Sequence, residues 1–175
     1  MFDWSLAERD ARFRGRGVAR VEPPYRARLD LFLANGETAV RAALVEDDLR
    51  LPAGAPAGVV PPAELLWAAL GVFRPPRDAR FRGAERLPDS GLALRYMRPD
   101  GIELRYVLTD GAIQEVERLR DGRVVERLEI AVAGEERYPR EAIYRNLGEF
   151  RELRLTRQGV GHVESYPPDI WRVAR

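Results

Sequence analysis

YRARLDLFLANGETAVRAALV, residues 25–45, decides the fold. Tyr25, Ala27, Leu29, Leu31 and Leu33 alternate with Arg26, Arg28, Asp30 and Phe32. Beyond Asn35-Gly36, Thr38, Val40, Ala42 and Leu44 alternate with Ala39, Arg41, Ala43 and Val45. A period of two marks a half-buried strand. Asn-Gly between two such runs is the strongest short-range hairpin signal. The stretch therefore predicts two paired strands with one apolar face.

The same pattern fills the second half. GLALRYMR (91–98), IELRYVLT (102–109), AIQEVERLR (112–120) and RVVERLEIAVA (123–133) are separated by Asp100-Gly101, Asp110-Gly111 and Asp121-Gly122. Each Asp-Gly predicts a tight hairpin. Leu92, Leu94 and Tyr96 share a face, as do Ile102, Leu104, Tyr106 and Leu108, and Leu128, Ile130 and Val132. The strand from Ala112 reads as more polar and less covered. After Tyr138-Pro139, two or three more strands are expected around Ile143, Phe150–Leu155 and Val160–Tyr166. The PPDIWRV tail is expected to dock Ile170 and Trp171 onto the body.

Upstream, FDWSLAERD (2–10) reads as a short helix or arm anchored by Phe2, Trp4 and Leu6. From Arg12 to Glu22 the chain is strand-like, with Phe13, Gly15, Gly17, Ala19 and Val21 on one face. Pro23-Pro24 ends it, and Asp47-Asp48 turns the chain into a short strand, Leu49–Leu51. PAGAPAGVVPP (52–62) is a linker. Pro61-Pro62 primes a helix over AELLWAALGVF (63–73), apolar nearly all round, with Gly71 as its stop. Pro75-Pro76 follows, so this helix is tethered between Pro-rich loops, as a lid or a core helix would be.

The reading is mainly β: nine to eleven antiparallel strands with a few helices. A sheet of that size twists and curls. Its apolar face must be covered by a helix, by a ligand or by closure.

Composition narrows the function. With 175 residues, residues 1–175 are expected to form one domain, with loops and lid helix over 52–80. The net charge of +1 argues against a dedicated nucleic-acid binder. No apolar run approaches the roughly 18 residues of a membrane helix. Met1 is not followed by a signal-peptide pattern, and a mature exported domain reads the same way. The absence of cysteine removes disulfides, thiolate nucleophiles and zinc–thiolate sites. All 29 basic residues are arginine, which reads first as a GC-rich coding bias, with anion recognition as the alternative.

Reactive constellations are sparse. His162 is the lone histidine, and with Glu164 it is short of the three or four ligands a metal needs. Ser5, Ser90 and Ser165 lie in no nucleophile elbow. Glu115 and Glu117 read as a solvated face. Gly15 and Gly17 lack the helix of a phosphate-binding turn, and in a strand they permit bending or close approach. Neither catalytic residue nor cofactor is expected. Arg12, Arg14, Arg16, Arg20, Arg26 and Arg28 line the outer face of two strands, either as a solvated face or as a dock for an acidic partner or headgroups.

Three segments carry a resemblance: FRGRGVARV (13–21), YRARLDLFLANGETAVRAALVEDDLRL (25–51) and PAELLWAALGVFRP (62–75). In that order the chain resembles the LolA/LolB-like lipoprotein carrier and receptor superfamily, nearest the LolB-like outer-membrane receptor branch. The resemblance implies a half-open, incomplete antiparallel barrel with helices over its mouth. It implies a cavity for acyl chains of lipoprotein or lipid in the bacterial envelope, at the periplasm or the periplasmic face of the outer membrane. A lipoprotein or envelope protein partner and peripheral membrane association belong to the same expectation. At the hairpin tip the receptor branch has Pro-Leu-Gly, where this chain has Ala34-Asn35-Gly36.

The expected function is thus non-enzymatic acyl-chain binding or transfer. The expected cavity wall is Leu29, Leu31, Val40, Leu44, Leu94, Tyr96, Leu104, Tyr106, Leu128 and Ile130. Leu66, Trp67 and Leu70 are the expected movable lid. Arg12, Arg14, Arg16, Arg26 and Arg28 are the expected docking face. The alternative is an envelope assembly module using that Arg face, with its interior filled by its own side chains.

Overall fold

The computed structural model describes residues 1–55, 58–88, 90–132 and 138–172. They form β1 (Phe2–Glu8), β2 (Ala11–Glu22), β3 (Arg26–Leu33), β4 (Thr38–Val45), β5 (Asp48–Arg50), α1 (Ala63–Ala69) and β6 (Arg80–Arg86). There follow β7 (Leu92–Met97), β8 (Ile102–Thr109), β9 (Ala112–Arg120), β10 (Arg123–Ala131), β11 (Glu141–Asn146), β12 (Arg151–Arg157) and a 3-10 turn, Pro168–Trp171. All twelve strands join one antiparallel sheet in the order β5-β4-β3-β2-β1-β12-β11-β10-β9-β8-β7-β6. Its two edges do not pair with each other, so the barrel is open.

Local chemistry explains the hairpins. At Asp110-Gly111 and Asp121-Gly122 both residues have positive φ, the two-residue turn whose twist matches the flanking strands. At the first hairpin the Gly36 N–H donates to Leu33 O at 2.9 Å, and Gly36 takes φ +87. That is a three-residue loop closed by a left-handed glycine.

The expected arm at 2–10 is a strand. Phe2, Trp4 and Leu6 alternate with exposed Asp3 and Ser5, a period of two too short to separate from an amphipathic turn by sequence. β1 joins the two halves by pairing with β12 on one side and β2 on the other. The strand expected over 160–166 does not form; the segment is irregular and largely exposed. β6, not anticipated, forms an edge from RFRGAER, whose charges hide its pattern. The count is therefore twelve rather than nine to eleven among the described residues.

Cross-strand partners share a face, so register fixes the inside. Leu29↔Ala42 and Leu31↔Val40 point inward from the first hairpin. Leu94↔Tyr106, Tyr106↔Val116 and Leu128↔Tyr144 continue the same face across the second half. Gly17 and Gly15 sit opposite Phe2 and Trp4. A Cβ at Gly17 would meet the Phe2 ring at 2.3 Å, and one at Gly15 would meet Phe32 O at 1.8 Å. These glycines let the aromatic rings of β1 lie across the neighbouring strand, the close approach their placement suggested.

α1 sits within the curl of the sheet, against β9, β10 and β11. Leu65, Leu66, Trp67, Ala68 and Ala69 are all buried, as expected for a helix apolar all round. Seven residues do not hold a helix in water, so packing sustains it. It stops at Gly71 (φ +80), where Gly71 N–H donates to Ala68 O and Val72 N–H to Trp67 O. This is a Schellman ending.

Candidate functional site: the concave face and its helix

Eight of the ten expected wall residues belong to the buried core: Leu29, Leu31, Val40, Leu44, Leu104, Tyr106, Leu128 and Ile130. Leu94 and Tyr96 are half-buried and pack against them. The structure brings all ten onto one concave face, and α1 occupies it. Of the lid residues, Leu66 and Trp67 are 1% exposed, whereas Leu70 is half-buried at the helix end.

Trp67 is an anchor as well as a cover. Its indole N–H donates to Glu46 O at 2.7 Å. Its ring meets Tyr25 edge-on, centroids 6.1 Å apart. The Arg74 guanidinium lies 4.0 Å over the opposite partner, Tyr25, and 3.3 Å from Asp47. The first turn of α1 is held by charge. Glu64, buried, lies 3.1 Å from Arg118 Nε of β9 and 3.7 Å from Arg98. Arg118 also grips Glu126 of β10, which accepts a hydrogen bond from the Tyr144 hydroxyl. Burial and that hydrogen bond push the Tyr144 hydroxyl far above its ordinary pKa, so it remains a donor.

Sequence reading missed this network. β9 was expected to be poorly covered, yet it packs against α1 and its Arg118 points inward with Leu104 and Glu126. Only the register could show it, because Arg118 stands among charges in both directions. On the outer face, Glu117 is buried between Arg105 at 3.2 Å and Arg127 at 2.6 Å. The solvated-face reading of Glu117 is therefore corrected. Burial, and then the Glu117 charge, raise the pKa of the neighbouring Glu115.

A groove of about 160 Å³ opens at the C-terminal end of α1. Its walls include Phe2, Ala19, Val21, Leu70, Leu155 and Tyr166. An apolar cavity of about 150 Å³ holds a molecule the size of benzene. The groove therefore holds a short stretch of one chain.

The arginine face divides in two. Arg12, Arg14 and Arg16 are exposed. Arg26 pairs with Glu22 at 3.3 Å. Arg28 binds Asp30 at 3.0 Å and donates to Ile170 O at 2.6 Å, so the tail covers it. Trp171 is buried there, edge-on to Tyr166. The docking of Ile170 and Trp171 thus occurs on the convex side of β3, and it partly covers Arg28, whose side chain stays 15% exposed. His162 is exposed in the irregular segment before it.

No protein-family model matches the chain, and no curated protein does. Solved structures do match over nearly its whole length. A LolA superfamily protein, NE2245 from Nitrosomonas europaea, superposes with a TM-score of 0.61 at 12% identity, covering 98% of this chain and 89% of that one. An outer membrane lipoprotein-sorting protein domain from Vibrio parahaemolyticus gives 0.55 at 13% identity, covering 97% and 86%. A DUF1329 family protein from Desulfovibrio piger gives 0.56 at 6% identity, covering 98% and 87%. The chain shares the fold of the LolA superfamily.

Proposed function

We propose that this chain is a non-enzymatic binder of acyl chains, from lipid or lipoprotein, on the concave face now filled by α1. The observation that carries the reading is the pairing of a largely apolar concave face, in which Arg118 and Glu126 stand among leucines, with one short helix, beside a mostly apolar groove. Leu29, Leu31, Val40, Leu44, Leu94, Tyr96, Leu104, Tyr106, Leu128 and Ile130 would contact the ligand, with Leu66, Trp67 and Leu70 displaced. The names of two structures sharing the fold, a LolA superfamily protein and a lipoprotein-sorting domain, support this reading and a place in the bacterial envelope, at the periplasm or the outer membrane's inner surface.

Magnitudes make the exchange feasible. Uncovering three large apolar side chains costs about 5 to 9 kcal/mol, at about 1.5 to 3 each. Roughly ten ligand methylenes at about 0.8 kcal/mol each offset that. A long acyl chain suffices, whereas a short one enters only the groove.

A second reading has its own support. The interior is filled, which favours an assembly module docking through Arg12, Arg14 and Arg16. Displacement of a fluorescent apolar probe from delipidated protein by a triacylated lipopeptide separates the two. Saturable displacement by the acylated peptide alone supports acyl-chain binding. Absence of probe uptake supports the assembly module.

A further inference from the structure

The two edges of the open sheet differ. β5 is three residues long, whereas β6 runs seven residues, Arg80–Arg86, and among the described residues pairs with β7 alone. An exposed strand edge is a template for another chain. Proteins blunt such edges with charge and bulges, and β6 has both: three arginines and an irregularity at Gly83. Yet Phe81 stands on this edge, 57% exposed.

Phe81 ends a row of aromatic rings. Tyr106, fully buried, meets Tyr96 edge-on at 5.9 Å, and Tyr96 meets Phe81 at 5.5 Å. Phe73 leans on Tyr106 at 5.1 Å and on Tyr96 at 6.5 Å. Each step crosses one strand, from β8 to β7 to β6. A further strand would place its own side chain beside Phe81, at the roughly 5 Å spacing of cross-strand pairs.

Charge selects the occupant. Glu85 is engaged by Arg95 at 3.2 Å. No described carboxylate pairs with Arg80, Arg82 or Arg86. A second copy of β6 laid against this edge would bring a second set of three arginines beside the first, and like charges repel. We propose that β6 accepts an acidic, extended peptide as a thirteenth strand, with an apolar residue seated on Phe81 and carboxylates on Arg80, Arg82 and Arg86. This is strand addition, in which main-chain hydrogen bonds supply affinity and side-chain positions supply selectivity. It does not rest on the acyl-chain reading, because main-chain pairing at β6 needs no ligand on the concave face, although Phe81 touches Tyr96 of that face.

The test uses a labelled heptapeptide alternating Glu and Val around a central Phe, with three controls. One control replaces Glu with Lys, one carries N-methyl groups on alternate amides, and one replaces Phe with Ser. Expected is saturable binding of the first peptide that weakens with salt and is lost with N-methylation or lysine. Phe81→Ala, at an exposed position, should weaken it about threefold to tenfold, with the melting temperature lowered by no more than a few degrees for the lost contact with Tyr96. The joint change of Arg80, Arg82 and Arg86 to Gln should flatten the salt dependence. No saturation by about 1 mM, or binding indifferent to N-methylation, overturns the proposal. So does a concentration-dependent dimer that Phe81→Ala dissolves, since the occupant is then a second copy.

Discussion

The Glu64 carboxylate of α1, itself buried, lies 3.1 Å from the half-buried Arg118 guanidinium of β9. The helix over the concave face is thus tied to the sheet by charge at its first turn and by Trp67 one turn later. Because Arg118 also holds Glu126, one cation serves two carboxylates. Arg118→Met should cost about 3 to 5 kcal/mol, since it strands buried carboxylates. Glu64→Gln should cost less, because Arg118 keeps Glu126. Urea unfolding of both variants and of the double variant measures the coupling. Equal costs would remove Arg118 from the centre of the network.

Gly15 and Gly36 should respond differently to alanine. At Gly15 the new Cβ would meet Phe32 O at 1.8 Å, so strands β2 and β3 must separate. The cost should be about 3 kcal/mol or more, at or beyond the upper range for overpacking. At Gly36 nothing lies within 4 Å, and only the left-handed backbone resists, for about 1 to 2 kcal/mol. Thermal melts of the two variants check the order.

Glu115 gives a pH test. Its pKa is raised by burial and then by Glu117, while Arg127 and Arg105 oppose the rise. The folded state therefore holds the proton more tightly than the unfolded chain. That contribution stabilises the fold at low pH and is lost as pH climbs through the folded pKa. Glu115→Gln should raise the melting temperature at neutral pH, and the gain should vanish below the ordinary carboxylate range. A gain independent of pH would assign the effect to something other than this charge.

Ala19 lines the groove and is only half-buried. Ala19→Phe should fill that space and weaken probe uptake by about tenfold, at about 1.4 kcal/mol for a lost apolar contact of that size. Its melting temperature should stay within a few degrees. Unchanged uptake would place the ligand elsewhere on the concave face.

Much of this fold is legible in the residues. The alternation at 25–45 and the Asp-Gly turns specify local pairings, because turn chemistry and a period of two depend on neighbours in sequence. α1 was readable as a helix from its prolines and Gly71. β6 was hidden because an edge strand carries charge on both faces. β1 was hidden because three apolar residues at Phe2, Trp4 and Leu6 fit an arm as well as a strand. The site was legible as a face but not as a filled one. Arg118, Glu64 and Glu126 are charged residues among many, and only long-range register brings them together. Trp67 read as a movable cover, but its bond to Glu46 and contact with Tyr25 make it structural too. Trp67→Ala should therefore lose stability, by about 3 to 5 kcal/mol, along with ligand retention.

The most direct measurement is hydrogen exchange of the backbone amides of α1 during titration with a triacylated lipopeptide. Acyl chains on the concave face must displace the helix. Exchange should therefore quicken at Leu66 and Leu70, whose N–H groups bond Pro62 O and Leu66 O. The unacylated peptide should leave both unchanged. Protection of α1 that is identical with saturating lipopeptide, with peptide and with buffer would contradict acyl-chain binding beneath this helix.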